Sequence, residues 1–497
     1  MHTDVVERPV SPGVRDTRGT IPLMLAAAFV MILNETILGM ALPQMMVSLR
    51  IDEVTAQWLS TAFMLTMAVV IPITGFVIER FNTRSIFLAS LTLFSVGTLA
   101  AALSNSFPIL LLARVVQASG TAIMMPLLMT TVLTIVPIRQ RGRMMGNISI
   151  VMSVAPALGP TLAGVILKVL NWHAIFGLVL PLALVMWVLG FVRLRNVTDP
   201  VRLSVDVLSV VLSAFGFGGL VYALSLISTL DNPSAVVTFA ASLAVGAIGL
   251  VTFVLRQLVL QRRGNPLLDL RTFTIPTFTL SLSAMAISFG SMIGAFILLP
   301  LYMQNVMHIP SATAGLLLLP GGLVMGLMGQ VVGRLYDRIG PRPLTIPGAA
   351  ILVVALLAMS RLTPTMPAWS VLAMHVTLSI GLGLMFTPLF SAGLGALPRR
   401  LYSHGSALVG TLQQVGGAAG TALLVTLFAL GTAQAATGGA TESDAMASGF
   451  RLALVVAAII AAAAVVMVAF IGRPADADEP GEHEPDPEPI GLVAELT

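Results

Sequence analysis

The stretch GFVIERFNTR, residues 75–84, has a counterpart in GRLYDRIGPR, residues 333–342. Glycine, an acid and two arginines recur at identical offsets 258 residues apart: Gly75, Glu79, Arg80 and Arg84 against Gly333, Asp337, Arg338 and Arg342. Upstream, Pro43 and Pro300 each close an apolar run, 32 and 33 residues before their glycines. One coincidence is cheap, but two in register indicate a duplicated chain. Both copies are short polar loops between long apolar runs, so the duplicated unit is built for an apolar solvent.

Composition agrees. Of 497 residues, 57% are hydrophobic and 10% charged, against roughly 45–50% and about 25% in a soluble domain. Apolar stretches long enough to cross a hydrocarbon core of about 30 Å recur along the chain. They predict fourteen spans, at 21–47, 58–78, 85–103, 107–136, 144–170, 174–194, 205–229, 234–260, 276–303, 312–336, 344–359, 368–392, 405–432 and 450–471. The expected architecture is an all-α membrane protein: a six-helix bundle at 21–194, two inserted helices at 205–260 and a second six-helix bundle at 276–471. Two parallel halves of this kind are a transporter plan in which substrate binds near the midplane between them.

Loop charge sets the orientation. On this map the loops and tails on the side of the termini carry 21 of the 26 basic residues; the opposite side carries Arg50, Lys168, Arg361 and Arg451, and Arg114 lies within a span. The positive-inside rule then places both termini, including the tail 1–20, in the cytoplasm of a cell whose inner (plasma) membrane the chain spans. Trp58, Trp172 and Trp369 fall near predicted outer ends, where indole rings favour the interface. The tail 473–497 holds eight of the 22 acids and several prolines and is expected to be disordered. A pI near 10.1 reads as topology, because the arginines stand singly or in small groups between spans, and no nucleic-acid partner is expected.

Several function classes fall away. The chain has no cysteine, which excludes disulfides and thiolate chemistry, and its six histidines lack ligand spacing, so no metal site is expected. The single lysine, Lys168, is not preceded by the glycines of a phosphate-binding loop. No enzymatic activity and no cofactor is expected.

What chemistry remains sits inside the spans. In VMILNETILGMALP, residues 30–43, Glu35 lies about 15 residues into its span, near mid-membrane, between Asn34 and Thr36. Burial favours the neutral form of a carboxyl and a nearby cation the ionised one, so such a group can exchange a proton when its access to water or to a cationic ligand changes. The structural alternative is a permanently protonated Glu bonded between helices. In LLLARVVQASGTAIMMP, residues 110–126, Arg114 must face something polar or snorkel to the outer interface, because an intramembrane charge costs at least about 2.5–3.5 kcal/mol. SVAPALGPTLAG, residues 153–164, sets Pro156, Gly159, Pro160 and Gly164 in one span, a pattern that kinks a helix and lets backbones pack closely. The duplicated loops read either as topology signals or as a latch, since an acid and arginines can pair with a helix N-terminus and with each other. His375, the other titratable group at depth, is a packing residue or a proton relay; Gln304 and Asn305 are an outer gate or plain loop. The 27 methionines line an adaptable cavity or simply pack against lipid and neighbouring helices.

With these motifs the sequence resembles the major facilitator superfamily, in particular its drug:proton antiporter family with fourteen helices, from about residue 20 to 472. The family's loop signature has Asp, Gly and Arg where the first copy has Glu79, Asn82 and Thr83; Asn tolerates the left-handed turn that Gly would adopt. Arg114, Gln117 and Gly120 match the fourth-helix motif, with Ala118 replacing the usual Gly. Residues 153–164 match the fifth-helix motif associated with exporters, and QQVGGAAG, residues 413–420, is its loose counterpart in span thirteen. In the first-helix pattern Asn34 takes the position of the family's Asp, while Thr36, Ala41, Leu42 and Pro43 match. The acid has thus moved one residue, about 100° around the helix.

The resemblance implies a monomeric, proton-driven exporter of amphipathic, cationic drugs that works by alternating access, with the substrate, protons and membrane lipids as partners. It implies Glu35, Arg114 and His375 for proton coupling, Asn34, Glu35, Thr36, Gln117 and Gln413 for the substrate cavity, and the two loops for a conformational latch. An exporter or flippase of a lipid or endogenous metabolite is the alternative on the same scaffold. A non-transporting receptor or scaffold would need neither the duplicated latch nor a deep Glu35.

Overall fold

The computed structural model describes residues 19–197, 206–227, 233–263 and 266–472; the acidic tail and nearly all of the N-terminal tail lie outside the described residues. Among the described residues, fourteen helices are long and apolar enough to cross a membrane. They are α1 (Thr20–Leu49), α2 (Glu53–Arg80), α3 (Thr83–Ala102), α4 (Phe107–Ile135), α5 (Arg141–Val169), α6 (His173–Arg193), α7 (Val207–Leu226) and α8 (Pro233–Arg262). The second half adds α9 (Pro276–Asn305), α10 (Ser311–Ile339), α11 (Arg342–Met359), α12 (Ala368–Gly395), α13 (Tyr402–Thr437) and α14 (Glu442–Ala469). We call the end where α1 begins and α14 ends proximal, and the other end distal.

Several helices outrun their apolar windows. α2 starts at Glu53 because Asp52 caps it, accepting from Thr55 N at 3.1 Å, and α14 starts at Glu442 because Thr441 caps it, accepting from Asp444 N at 3.2 Å. Polar caps and first turns belong to the helix but not to the hydropathy signal. Contrary to the sequence expectation, Pro43 and Pro300 do not close their spans; they lie inside α1 and α9, and each helix continues for more than a turn beyond them. Proline is tolerated there because neighbours in the bundle can satisfy the carbonyl it frees.

The duplication is visible in the packing. α1 lies on α4, α5 and α6, α3 on α4 and α6, and α2 on α4; α9 lies on α12, α13 and α14, α11 on α12 and α14, and α10 on α12. It extends to single contacts. A Cβ on Gly120 would stand 2.4 Å from Ser90 O, and one on Gly381 2.9 Å from Gly348 O, with Gly348 and Gly381 at the places Ser90 and Gly120 hold in the first half.

The halves meet along two seams, α5 against α10 and α2 against α13. On the first, Gly142 faces Gly333 and Gly146 faces Gly329, so closely that a Cβ on Gly146 would lie 2.2 Å from Gly329 O. The seam runs on to Ala157 and Gly322, and then the helices part: Gly164 and Gly315 have open space where a Cβ would stand. On the second seam Gly75 meets Ser403 and His404, Gly410 meets Ile71, and Gln414 Nε2 reaches Met67 Sδ at 3.8 Å. At about 1.5 Å per residue, these contacts occupy the proximal half of the bundle.

The inserted pair packs through Gly216 against Gly249 and Gly219 against Gly246, and α7 lies on both α2 and α13, covering their seam from outside. Its proximal foot is tied down. The guanidinium of Arg256 donates to both carboxylate oxygens of Asp206 at 2.6 Å. Buried Gln257 donates to Ser209 Oγ at 2.8 Å and accepts from the amides of Leu267 and Leu268, on the segment leading into α9. The Arg256 bonds, with help from Ser209, hold the Asp206 carboxyl far below the usual carboxylate range.

Two outcomes follow. Gly246→Val drives a side chain into the Leu220 backbone and should cost about 1–3 kcal/mol, read as a lower melting temperature in detergent, while Gly164→Ala stays at the parent value. Because Asp206 titrates lower folded than unfolded, its pairing stabilises above the unfolded value of about 3.9 and is lost as pH falls below it. Asp206→Asn should therefore remove part of the acid limb of a melting-temperature profile taken against pH.

Candidate functional site

The duplicated loops form a crossed pair of contacts at the proximal end. Glu79, at the end of α2, accepts from Ser403 Oγ at 2.5 Å and pairs with His404 Nε2 at 3.2 Å, in the first turn of α13. Asp337, at the end of α10, accepts from the amides of Gly142 and Arg143 at 2.8 and 3.0 Å, in the first turn of α5. Each acid thus sits on the N-terminus of the fifth helix of the opposite half, where unpaired amides and the helix dipole favour negative charge. Gly75 and Gly333 let the helices come close enough for this.

The arginines do different work from the acids. Arg84 donates to Phe191 O at 2.5 Å and Arg342 Nε to Ile471 O at 3.0 Å, so each closes the end of the sixth helix of its own half. Arg80 lies against the Phe81 ring at 5.8 Å, and Arg338 is exposed at the proximal end. Where the sequence suggested one charge network per loop, the structure separates a contact between halves from a brace within each half.

Four residues of this end escaped the motif reading. Ser403 and His404 complete the Glu79 arm. Arg141, buried, donates to Leu133 O at 2.8 Å and Val136 O at 3.2 Å at the end of α4, and to Tyr402 Oη at 3.1 Å. Arg141 and Tyr402 each open the fifth helix of their half, so aligning the repeat would have paired them.

At mid-membrane, α1 decides which polar groups face where. Asn34 is 1% exposed, on the stripe of Ala27, Met31, Leu38, Ala41 and Met45, and its amide atoms have no partner. Glu35, rotated off that stripe, is half-buried. Thr36 turns back on its own helix, donating to Leu33 O at 3.0 Å, and receives Gly159, whose Cβ would stand 2.3 Å from Thr36 Oγ1. Within the exporter-type motif, then, Gly159 seats α5 on α1; Pro156 is half-buried, Gly164 faces open space, and the Pro160 side chain lies outside the described residues.

Arg114 is 1% exposed and lies over the Phe63 ring at 4.1 Å. It donates to Gln117 Oε1; Gln117 Nε2 donates to Thr98 Oγ1 at 2.8 Å, and Thr98 to Phe94 O at 2.6 Å. Arg114 and Glu35 are in electrostatic reach of each other, yet among the described residues no ion pair joins them. Of the residues expected in the substrate cavity, Asn34 lies on the packed stripe of α1 and Gln117 is bonded to Arg114 and Thr98. Gln413 on α13 is half-buried, with its Nε2 unpaired. His375 is 2% exposed, with its Nε2 3.1 Å from Leu318 O, its ring beside Phe296 and Gly321 pressed against it, all within the second half. The structure uses it to join α12 to α10 and does not bring it to Glu35.

Comparison with known proteins gives the same answer from three directions. The family model of the Major Facilitator Superfamily matches residues 24–421. The uncharacterized MFS-type transporter YcnB of Bacillus subtilis (strain 168) is 40% identical over 487 residues, covering 98% of this chain and all of the relative. The lincomycin resistance protein LmrB of Listeria innocua is 40% identical over 411 residues, 83% of this chain and 86% of that protein. The putative multidrug resistance protein MdtD of Salmonella heidelberg is 30% identical over 408 residues, 80% and 84% of the two chains. Among solved structures, the human organic anion transporter MFSD10 superimposes with a TM-score of 0.66 at 15% identity, over 92% of this chain and all of the other. The proton:xylose symporter XylE does so with 0.63 at 12%, over 92% and 96%.

Asp337→Ala strips the acceptor from two amides, a loss of about 1–3 kcal/mol in the closed proximal end. Spin labels at Val169→Cys and Leu316→Cys, both exposed near the distal ends of α5 and α10, should then show a larger short-distance population than in the parent.

Proposed function

We propose that this chain, which belongs to the Major Facilitator Superfamily, exports amphipathic cationic compounds in exchange for protons by alternating access. The chain is a transporter, not an enzyme, and a multi-pass membrane protein. Glu35 carries the finer reading. Among the described residues it is the one carboxylate deep inside a span, since the other helical acids lie at helix ends. It is half-buried and in reach of Arg114 without being neutralised in an ion pair, so proton and cation can compete for it.

The seams support a state with the proximal end shut. Glu35 lies near the level where the α2–α13 contacts end, below the parted distal ends of α5 and α10. With the proximal end in the cytoplasm of an inner-membrane protein, as the arginine-rich loops favour, this is the outward-facing form. Glu35 takes a proton there; the halves rock open proximally, a cationic substrate displaces the proton, and the return stroke carries the substrate out. Each charge moved adds about 2.3 kcal/mol per 100 mV of membrane potential. Relatives named for lincomycin and multidrug resistance support foreign small molecules as the cargo.

The test is purified protein in liposomes with an imposed proton gradient, following ethidium and, separately, lincomycin. The parent should move at least one of them against its concentration gradient, and Glu35→Gln should reduce this at least about tenfold while leaving substrate binding measurable. An undiminished gradient-driven rate in Glu35→Gln would overturn the assignment.

A further inference from the structure

The two arms of the proximal contact stand at equivalent positions of the repeat but are made of different chemistry. Asp337 is held by the amides of Gly142 and Arg143, donors that keep their proton at every pH. Glu79 is held by a hydroxyl and an imidazole, and both reach the same oxygen, Oε1. The His404 ring is buried, a Cβ added to Gly75 would stand 3.4 Å from its Nδ1, and Nδ1 has no hydrogen-bond partner. With its hydrogen on Nε2 the ring donates to Glu79, and Nδ1 is left to gain or lose a proton without breaking that bond.

We propose that the Glu79–His404 contact is a proton-operated catch on the proximal gate. A proton taken onto Nδ1 while the proximal end is open to water turns a neutral donor into an imidazolium, makes the contact an ion pair and holds α2 on α13 once the halves close. Its loss leaves only the neutral donors of His404 and Ser403 on the Glu79 carboxylate, a weaker contact than an ion pair, and frees the halves to part. Other charges around the ring do not substitute for Glu79. Arg80 on α2, Arg399 and Arg400 on the turn before α13, and Arg141 against Tyr402 are all cationic. At the foot of α7, Asp206 is already paired with Arg256. Arg114 of α4, His375 of α12, and Glu442, Asp444 and Arg451 of α14 lie toward the distal end, and α9 carries no Asp, Glu, Lys, Arg or His. Imidazoles ordinarily change charge between about pH 5 and 8, so acid on the proximal side keeps the gate shut and neutrality releases it. The proposal rests on the alternating-access reading but concerns the gate, not the coupling carboxylate.

The absence of cysteine makes it testable without transport. Ser149 Oγ lies 2.8 Å from Thr387 Oγ1 across the line between the halves and is 6% exposed, so a thiol in Ser149→Cys meets solvent when they part. Its labelling rate with a charged maleimide, divided by that of the exposed Val169→Cys to remove intrinsic thiol reactivity, should rise several-fold from about pH 6 to pH 8. His404→Gln and Glu79→Gln should hold the ratio at its high-pH level throughout, and His404→Arg, a permanent cation, at its low-pH level. A flat parent ratio, an unaltered slope in His404→Gln, or high labelling in His404→Arg would each overturn the catch. Because labelling needs no substrate or gradient, a failure of Glu35→Gln to uncouple transport leaves this result standing, and the reverse also holds.

Discussion

Lipid tails are as apolar as leucine, so no hydrophobic force drives one helix of this chain onto another inside the membrane. What holds such helices together is how near their backbones can come. The α5–α10 seam shows the limit: Gly142 against Gly333 and Gly146 against Gly329 leave no room for even a methyl group. At that separation Asp337 reaches the first amides of α5, and with Gly75 beside them Glu79 reaches Ser403 and His404. The electrostatic contact between halves depends on the steric one. A pair of surfaces that meet through small residues and a few directed bonds also suits rocking, because little interdigitation has to be undone.

The same constraint settles the orientation of the mid-membrane site. Gly159 fits against Thr36, which fixes the face that α1 turns to α5. Asn34 is then carried into the packed interior, and Glu35 is left half-buried. An acid displaced by one residue from the family's usual place is therefore not an acid lost; it is the neighbouring amide that has gone inward. Arg114 is kept from closing on Glu35 by its own partners, Gln117 and the Phe63 ring. A full ion pair would neutralise both groups and leave little for a proton or a cation to compete for.

Much of this was legible in the residues, for reasons that also mark where legibility stops. Loop charges and apolar runs are local properties, so the fourteen helices and the duplication could be read directly. Helix starts such as Glu53 and Glu442 could not, because caps are polar and hydropathy discounts them. Side-chain direction was harder still. That Thr98, on another helix, and Arg114 use both ends of the Gln117 amide could not be read from the motif. His404 carries no motif, and its partner Glu79 comes from the far half of the chain, next to a Ser403 contact spanning 324 residues.

The repeat, however, held more information than motif matching extracted. Tyr402, Ser403 and His404 stand where Arg141, Gly142 and Arg143 stand in the first half, so the partner of each acid could have been found by alignment alone. What alignment also shows is where the copies diverged. The α5–α10 arm keeps glycines on both sides and amides as donors, while the α2–α13 arm is looser, a Cβ on Gly75 standing 3.3 Å from the opposing backbone where one on Gly333 would stand 2.2 Å away, and has gained two donating side chains. A symmetric gate would have two arms of equal strength that open together. Here the two arms differ in closeness and in donors, and the inserted α7, lying over the looser seam, is placed to feel the movement of both helices it covers.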